Sequence, residues 1–381
     1  MAKKRVCFVV AVPGSAEAFL RDHISTLQEE FEVHLVANFP DGYDGSQWFR
    51  NVEFHHVEIQ REINIVKDLK SIISLYRLFK KEQFDCVHSV TPKAGMVNAI
   101  AGWLAGIKNR IHIFTGQVWC TRKGIMRYVL KSIDRIIATL DTKLFVDGEG
   151  QRQFLIRERV LKADNSMVIA NGSIAGVRLE RFVISDDVRN NERAKLCLKD
   201  DDICYIFLGR LNHDKGIGEL YEAFNKLVSE CPKSRLVLYG TDEEGYDPKA
   251  DTFPNIKRGV NYFYQGLTTQ PFNALQAGDV FVLPTWREGF GMSVIEAQGL
   301  ALPVITSDAY GVVDASVEGE TGLRCKVGDP DSLYKAMKIY YEHPEMIRQH
   351  GEAGRKRVIE KFDNRLVSQA WLTIYKDMLK E

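Results

Sequence analysis

The chain has 381 residues, of which 45% are hydrophobic, and its 51 Lys and Arg balance its 51 Asp and Glu. This length predicts two domains, and the balanced charge leaves no overall positive field for nucleic acid. No apolar run approaches the ~20 residues that a helix needs to span a bilayer, so we expect an α/β enzyme without a membrane span.

Short apolar runs alternate with helical patterns along the first half of the chain, which predicts a parallel sheet. The basic amino terminus leads into one such run and then Pro13-Gly14, which favours a first strand over a signal peptide. Strands are predicted at residues 5–10, 32–37, 52–57, 86–88, 110–114, 143–146 and 167–169. Helices are predicted at residues 16–30, 67–81, 94–105 and 126–139.

The polar stretch 183–199 interrupts this alternation and is predicted to be a linker. Further strands are predicted at residues 203–208, 235–239, 262–264, 279–283 and 303–306. We therefore expect two Rossmann-like domains, residues 1–185 and 186–361, facing each other across a ligand-binding cleft. Apolar residues at helical spacing in segment 362–381 predict a carboxyl-terminal helix that packs back on the first domain.

The stretch 121–135 carries five cations and has apolar residues near helical spacing. Two interpretations remain open. One is a solvated helix face. The other is a basic amphipathic surface for anionic lipid headgroups or a lipid diphosphate, to which the nearby Trp119 would be suited.

Two predicted strands of the second half are each followed by a loop suited to phosphate. After the strand at 203–208 come Gly209, Arg210 and Lys215, and two cations there can clamp a diphosphate without a metal. After the strand at 279–283 comes a glycine-rich stretch from Glu288 to Glu296 that opens a helix. Unpaired helical N–H groups bind phosphate, and carboxylates accept hydrogen bonds from sugar hydroxyls, so a sugar-nucleotide site is predicted.

The chain resembles glycosyltransferase family 4, the retaining GT-B enzymes. The matching residues are Gly209-Arg210-Leu211, Lys215-Gly216, Pro284-Thr-Trp-Arg-Glu-Gly-Phe-Gly-Met-Ser-Val-Ile-Glu-Ala297 and Glu318-Gly-Glu-Thr-Gly322. The resemblance implies that Arg210, Lys215 and Glu288 are catalytic, with Glu288 facing the donor sugar. The implied donor-binding set comprises Gly14, Gly209, Arg210, Lys215, Glu288, Gly289, Phe290, Gly291, Met292 and Glu296, with Glu296 at the ribose.

The amino-terminal half departs from the family pattern at two loops. Gly14 stands alone where many members have two glycines, and Thr115 stands where many have a histidine. The segment from His88 to Gly95 is similar to bacterial polysaccharide-assembly members. Acceptor contacts are therefore expected at His88, Lys93 and Thr115.

These features predict a retaining, metal-independent hexosyltransferase that uses a nucleotide sugar, with UDP preferred, and no cofactor. The expected acceptor is a lipid-linked glycan in cell-surface polysaccharide biosynthesis. Seven scattered cysteines fit a cytoplasmic protein, peripheral to the inner face of the membrane. The alternatives are a nucleotide-sugar epimerase or phosphorylase of the same architecture, and a non-catalytic sugar-nucleotide-binding partner. The two Asp-x-Asp sequences, at 200–202 and 329–331, are interpreted as a turn and a helix cap, so no metal site is predicted.

Overall fold

The chain forms two compact units. The computed structural model describes residues 3–60 and 64–380, so residues 1, 2 and 381 of the predicted segments lie outside the described residues. One unit comprises Met1–Gly176 with Asn364–Glu381, and the other comprises Val177–Asp363. The second unit begins before the predicted boundary at 185/186, because the N–H of Val177 donates to the carbonyl of Phe362 at 2.6 Å and Phe182 packs in the second unit's core.

Unit 1 is built on a seven-stranded parallel sheet in the order β3-β2-β1-β4-β5-β6-β7. Its strands are β1 Arg5–Val9, β2 Glu32–Ala37, β3 Val52–His56, β4 Cys86–Val90, β5 Asn109–Phe114, β6 Lys143–Val146 and β7 Ser166–Val168. Each predicted strand of this half is present, with small differences at the ends. The order reverses between β1 and β4, which are neighbours in the sheet.

Six helices of unit 1 connect these strands. They are α1 Pro13–Phe19, α2 Arg21–Leu27, α3 Ile65–Glu82, α4 Pro92–Ala105, α5 Gly124–Leu140 and α6 Glu149–Arg157. The single helix predicted at 16–30 is therefore wrong in detail, because the backbone of Leu20 (φ −114°, ψ −5°) separates α1 from α2. Contacts of α4 with both α3 and α5 place these three helices side by side on one face of the sheet.

Unit 2 has a six-stranded parallel sheet in the order β10-β9-β8-β11-β12-β13. Its strands are β8 Ile203–Leu208, β9 Ser234–Tyr239, β10 Tyr262–Tyr264, β11 Val280–Leu283, β12 Val304–Ser307 and β13 Gly322–Cys325, of which β13 was not predicted. Its helices are α7 Asp186–Lys195, α8 Ile217–Glu230, α9 Tyr246–Lys249, α10 Pro271–Leu275, α11 Met292–Gly299, α12 Pro330–Glu342 and α13 Pro344–Lys361.

The stretch predicted to be a linker contains helix α7 instead. Ser185 caps it by accepting a hydrogen bond from the N–H of Val188. Arg189 and Arg193 of α7 both bind the carboxylate of Asp279, which immediately precedes β11. A highly polar sequence therefore forms an ordered part of unit 2, held by ion pairs rather than by an apolar face.

The last helix is α14, Asn364–Leu379, which belongs to unit 1 and packs on its sheet. Val367, Trp371 and Tyr375 of α14 lie in the same buried cluster as Phe8 of β1. The ring of His88 lies 5.0 Å from both Phe8 and Trp371, so the helix seals one face of the sheet. Among the helices of the described residues, none combines the length and apolar character needed to cross a bilayer.

Candidate functional site

In unit 2 the strand order reverses between β8 and β11, which pair directly through Val280 with Tyr205 and Phe281 with Ile206. Their carboxyl ends therefore lie side by side, at the point where open α/β sheets bind ligands. The clamp loop (residues 209–216) follows β8, and the glycine loop (residues 284–291) follows β11. The two phosphate-binding patterns seen in the sequence are thus neighbours in the fold.

Glycine is required where these two loops touch. A Cβ on Gly216 (φ +72°) would lie 2.1 Å from the carbonyl oxygen of Pro284, so only glycine permits this approach. Gly291 has φ +92° and precedes the first residue of α11, Met292. The left-handed backbone at Gly291 turns the glycine loop into the helix and directs the first N–H groups of α11 towards the loop.

Lys215 and Glu288 form an ion pair that joins the clamp loop to the glycine loop. The ammonium Nζ of Lys215 donates to Oε1 of Glu288. Only 17% of the Lys215 side chain and 15% of the Glu288 side chain are exposed. The two predicted catalytic groups are therefore in contact, and each compensates the charge of the other within a largely buried setting.

A second ion pair, between Asp214 and Arg287, joins the same two loops. The sequence did not predict this pair. Arg287 binds the carboxylate of Asp214 through Nη2 at 2.6 Å and Nε at 2.9 Å. The carbonyl oxygen of Asp214 also accepts hydrogen bonds from the N–H of Trp286 and the hydroxyl of Thr285, each at 2.8 Å. The loops therefore hold the Lys215–Glu288 pair in one geometry.

Arg210 has a partner different from that of Lys215. Its guanidinium binds Glu243 at 3.0 Å, and 55% of its side chain is exposed. Asn212 donates to the same Glu243 carboxylate at 2.8 Å. The predicted pair of cations lies on one loop, but each cation is neutralised by its own carboxylate, and neither Glu243 nor Asn212 was singled out from the sequence.

Glu296 lies in α11 and is partly buried. Desolvation by the surrounding protein raises the pKa of its carboxyl to about 7, against the opposing effect of the Arg181 cation. No hydrogen-bond or ion-pair partner contacts this carboxylate within the described ranges 3–60 and 64–380. A carboxyl group in this state is suited to accept hydroxyl hydrogen bonds from a ligand.

The remaining predicted donor-binding residues are glycines, a buried phenylalanine and the first residue of α11. Phe290 is only 2% exposed, and its ring packs 5.3 Å from that of Phe362 in the core. Gly289 and Gly209 are backbone positions in the two loops, and Met292 is the first residue of α11. Gly14 lies in unit 1, exposed in the first turn of α1.

Of the residues predicted to contact an acceptor, His88 lies within β4, Lys93 lies in α4 and Thr115 follows β5, and the first two are already engaged. His88 is 1% exposed and bonds through Nδ1 to the hydroxyl of Tyr375, so the expectation of an accessible His88 is wrong. Lys93 binds Asp68 at 2.6 Å, with side-chain exposures of 12% and 10%. The carbonyl of Thr115 accepts a 2.7 Å hydrogen bond from Gln151. Of the three, only Thr115 keeps an uncommitted side chain.

The basic stretch 121–135 is divided between ion pairs and exposed residues. Arg127 and Lys131 both bind Glu158, and Trp119 is buried with its indole N–H donating to Asp134 at 2.7 Å. The interface role considered for Trp119 is therefore wrong. Instead, the start of α5 exposes a contiguous set that we call the α5 patch: Arg122, Lys123, Ile125 (84%), Met126 (52%), Tyr128 (67%) and Val129 (39%).

Comparison with known families matches both halves of the chain. A model described as "Glycosyl transferases group 1" matches residues 188–357, which include both loops and α11. A model described as "Glycosyl transferase 4-like domain" matches residues 14–172, within unit 1. The two matches cover every strand of the two sheets except β1.

Two curated relatives and one solved structure match over most of the chain. The chain is 29% identical over 382 residues to the capsular polysaccharide biosynthesis glycosyltransferase CapM of Staphylococcus aureus, covering 100% of this chain and 99% of that protein. It is 30% identical over 347 residues to the UDP-Gal:alpha-D-GlcNAc-diphosphoundecaprenol alpha-1,3-galactosyltransferase of Escherichia coli, covering 88% and 87%. The crystal structure of Anabaena Alr3699/HepE in complex with UDP matches with a TM-score of 0.79 at 16% identity, covering 100% of both chains, which shows a shared fold.

Proposed function

The chain belongs to the GT-B glycosyltransferases of family 4, and from this premise we propose that it transfers a sugar from a UDP-sugar to a lipid-linked glycan in cell-surface polysaccharide biosynthesis. The observation that carries the proposal is the Lys215–Glu288 ion pair between the loops that follow β8 and β11. It joins a phosphate-binding cation to a hydroxyl-binding carboxylate at the ligand-binding edge of the sheet.

The Lys215–Glu288 ion pair is suited to separate when the donor binds. A diphosphate at the start of α11 attracts the Lys215 ammonium, since the diphosphate of a nucleotide sugar carries two negative charges. Glu288 is then released to accept hydrogen bonds from the donor sugar. Arg210 is paired with Glu243 in the free protein, and on donor binding its guanidinium leaves that carboxylate and binds the same diphosphate.

The transfer step needs charge stabilisation more than a protein nucleophile. The bond between the sugar's anomeric carbon and the diphosphate oxygen breaks, the acceptor oxygen bonds to that carbon on the same face, and the departing phosphate oxygen takes the acceptor proton. Lys215, Arg210 and the α11 amides stabilise the negative charge that develops on the diphosphate. These groups supply the role that a divalent metal has in other transferases, so we propose that no metal or cofactor takes part.

Uridine and a lipid-linked acceptor are supported by the relatives. The solved Anabaena protein holds UDP, and the Escherichia coli relative is named for a diphosphoundecaprenol-linked substrate. Glu296 is placed one helical turn into α11 and is suited to the ribose hydroxyls. The named relatives are transferases, which favours transfer over epimerisation, phosphorolysis or binding alone.

A lipid-linked acceptor requires access to a membrane surface, and the α5 patch fits that need. Arg122 and Lys123 are exposed, and neither side chain has a partner among the described residues. The apolar side chains beside them, with Ile125 84% exposed, can enter the headgroup region while the cations meet anionic lipid. We therefore propose that unit 1 contacts the membrane through the start of α5.

The decisive test measures sugar transfer to a lipid-linked acceptor extract in chelator-treated buffer. Wild type is compared with Lys215→Ala, Arg210→Ala and Glu288→Gln. Loss of transfer in all three supports the proposal, and near wild-type rates in all three refute it. Conversion of the donor without any acceptor would instead indicate an epimerase, and UDP binding without turnover would indicate a non-catalytic partner.

A further inference from the structure

Strands β2 and β3, at one edge of the unit 1 sheet, bring two histidines and a glutamate together. His34 of β2 is the register partner of Glu53 of β3, and His55 lies two residues further along β3, on the same face as Glu53. All three lie in the strands themselves, and none of their contacts involves a predicted donor or acceptor residue. The cluster is therefore not part of the transfer site that we propose.

The three side chains converge on one point with the spacing of metal ligands. Nδ1 of His34 lies 2.9 Å from Nε2 of His55 and 3.5 Å from Oε2 of Glu53. Nε2 of His55 lies 3.7 Å from Oε1 of Glu53. A tetrahedral zinc with bonds of about 2.0–2.1 Å separates its ligand atoms by about 3.3 Å, so small side-chain adjustments bring all three into range. Two histidines and one glutamate form one of the ligand sets that zinc adopts in proteins.

The surroundings orient His34 as a ligand. Its other ring nitrogen, Nε2, lies 3.0 Å from Oε1 of Glu32, the contact that commonly fixes the tautomer of a metal-bound histidine. Arg5 approaches the same nitrogen at 3.2 Å, but it also binds Glu32 at 2.9 Å and Glu82 at 2.8 Å. In the tautomer whose Nε2–H donates to Glu32, Nδ1 keeps its lone pair for the cluster, whereas donation from Arg5 to Nε2 belongs to the other tautomer.

Charge and exposure also fit a bound dication. The three carboxylates of Glu32, Glu53 and Glu82 exceed the two positive charges of Arg5 and Lys81 nearby. Glu53 is 57% exposed at its side chain, while His34 is fully buried, so one side of the cluster stays open to solvent for metal entry and a fourth, water ligand.

We propose that His34, Glu53 and His55 bind one zinc ion that ties the edge strand β3 to β2. The simpler alternative is a hydrogen bond between two stacked histidines, whose rings lie 5.2 Å apart. Metal analysis distinguishes the zinc site from the histidine pair, because a histidine pair without a metal site retains no zinc. A bound ion would link residues of two strands and stabilise an edge that has a neighbour on one side only.

The test uses untagged full-length protein carrying Cys197→Ser, since Cys197 is an exposed thiol that can bind zinc adventitiously. The protein is incubated with Zn²⁺, desalted and assayed for metal content, and the Co²⁺ form is examined for the visible absorption of tetrahedral cobalt. The test variants are Glu53→Gln and His55→Asn. The matched controls are His56→Asn and Glu58→Gln, which alter exposed residues of the same types in the same region.

We expect one zinc per chain, a rise in Tm with Zn²⁺, and at least a tenfold loss of zinc affinity in both test variants, with the controls unchanged. Glu53→Gln alters an exposed side chain, so it reports on binding even where His55→Asn folds poorly. Failure of the parent protein to retain zinc would overturn the proposal. Equal affinity in Glu53→Gln and the parent would also overturn it, and would assign any bound zinc to another group.

Discussion

The ammonium of Lys215 and the carboxylate of Glu288 neutralise each other across two loops that follow neighbouring strands of unit 2. Both side chains are mostly buried, so removal of either charge leaves the other uncompensated. Because the same two residues are the proposed contacts of the donor diphosphate and sugar, the free protein keeps its binding groups in place by pairing them with each other. This relationship makes stability and catalysis respond to the same substitutions.

Lys215→Ala is expected to lower the transfer rate by about 10²–10³-fold, since one fixed donor to the developing phosphate charge is lost. The matched control is Lys195→Ala in α7, whose ammonium is paired with Glu192 and whose side chain is 66% exposed. The measurement is single-turnover transfer with saturating donor. A fall of similar size in the control would show that the effect is not specific to the clamp loop.

In a double-mutant cycle, Lys215→Met and Glu288→Gln should be less destabilising together than the sum of the single changes. Each single change leaves the other, mostly buried charge without its partner, whereas the double change removes both charges. A coupling free energy of about 1–3 kcal/mol is therefore expected in urea unfolding. Additive effects within about 0.5 kcal/mol would show that the pair is not a significant interaction.

Arg210→Ala is expected to weaken UDP binding by about 10–100-fold, because a charge-assisted hydrogen bond to phosphate contributes about 1.5–3 kcal/mol. Arg258→Ala is the matched control, as Arg258 is also partly exposed, at 43%, and is bound to a carboxylate, that of Asp247. Isothermal titration calorimetry with UDP measures both. Equal Kd values for wild type and Arg210→Ala would remove Arg210 from the donor site.

UDP binding should tighten as the pH rises from 6 to 8. Burial raises the pKa of Glu296 to about 7, so the carboxylate that accepts ribose hydroxyls is mostly protonated at pH 6 and mostly ionised at pH 8. The change in Kd from this group is at most about tenfold. Glu296→Gln should remove this component and leave only the titration of UDP itself, and an unchanged pH profile in that variant would contradict the assignment.

Unit 1 should lose stability through Asp141 as the pH rises from 3.8 to about 8. Burial raises the pKa of this carboxyl to about 8 against the effect of Arg110, and neither carboxyl oxygen has a hydrogen-bond partner among the described residues. A raised folded-state pKa contributes stability that is present below the unfolded-state pKa of 3.8 and is lost as the pH rises through about 8.

The Tm of wild type should therefore fall relative to that of Asp141→Asn between pH 6 and pH 9. Asp164→Asn, at an exposed site of the same unit, should show no such trend. Thermal unfolding at matched ionic strength measures all three proteins. A constant difference in Tm between wild type and Asp141→Asn across this range would show that Asp141 does not titrate there.

Ile125→Glu should reduce co-sedimentation with anionic vesicles at low salt, because it places a negative charge at the most exposed apolar position of the α5 patch. Leu267→Glu is the matched control, since Leu267 is 80% exposed and lies in unit 2. High salt should weaken binding of the parent protein as well. If Ile125→Glu and Leu267→Glu sediment alike, the α5 patch is not the membrane contact.

Local sequence patterns predict most strands of both units, because parallel strands covered on two faces are continuous apolar runs. These patterns do not predict the elements whose formation depends on contacts with residues distant in the sequence. Helix α7 is too polar to be recognised, and its position depends on Asp279, which lies far along the chain. Strand β13 contains only four residues, with Arg324 among them, and it is an edge strand whose pairing with β12 defines it.

The candidate site shows the same division. Glycines and strand ends indicate the positions of Lys215 and Glu288, since phosphate loops follow strands. The contact between these two residues, and the adjacent Asp214–Arg287 pair, join residues 73 positions apart and depend on the neighbouring positions of β8 and β11. The burial of His88 depends on α14, which lies 287 residues from it at Tyr375.

Helix α14 also determines the order in which the protein can be completed during synthesis. It leaves the ribosome after every residue of unit 2, yet it covers an apolar face of the sheet that is made first. Unit 2 is one continuous segment and can fold while unit 1 still exposes Phe8 and its neighbours. Nascent unit 1 is therefore the part of the molecule that most needs protection from aggregation, and a stop codon before Trp371 would disable the first half of the protein rather than shorten the second.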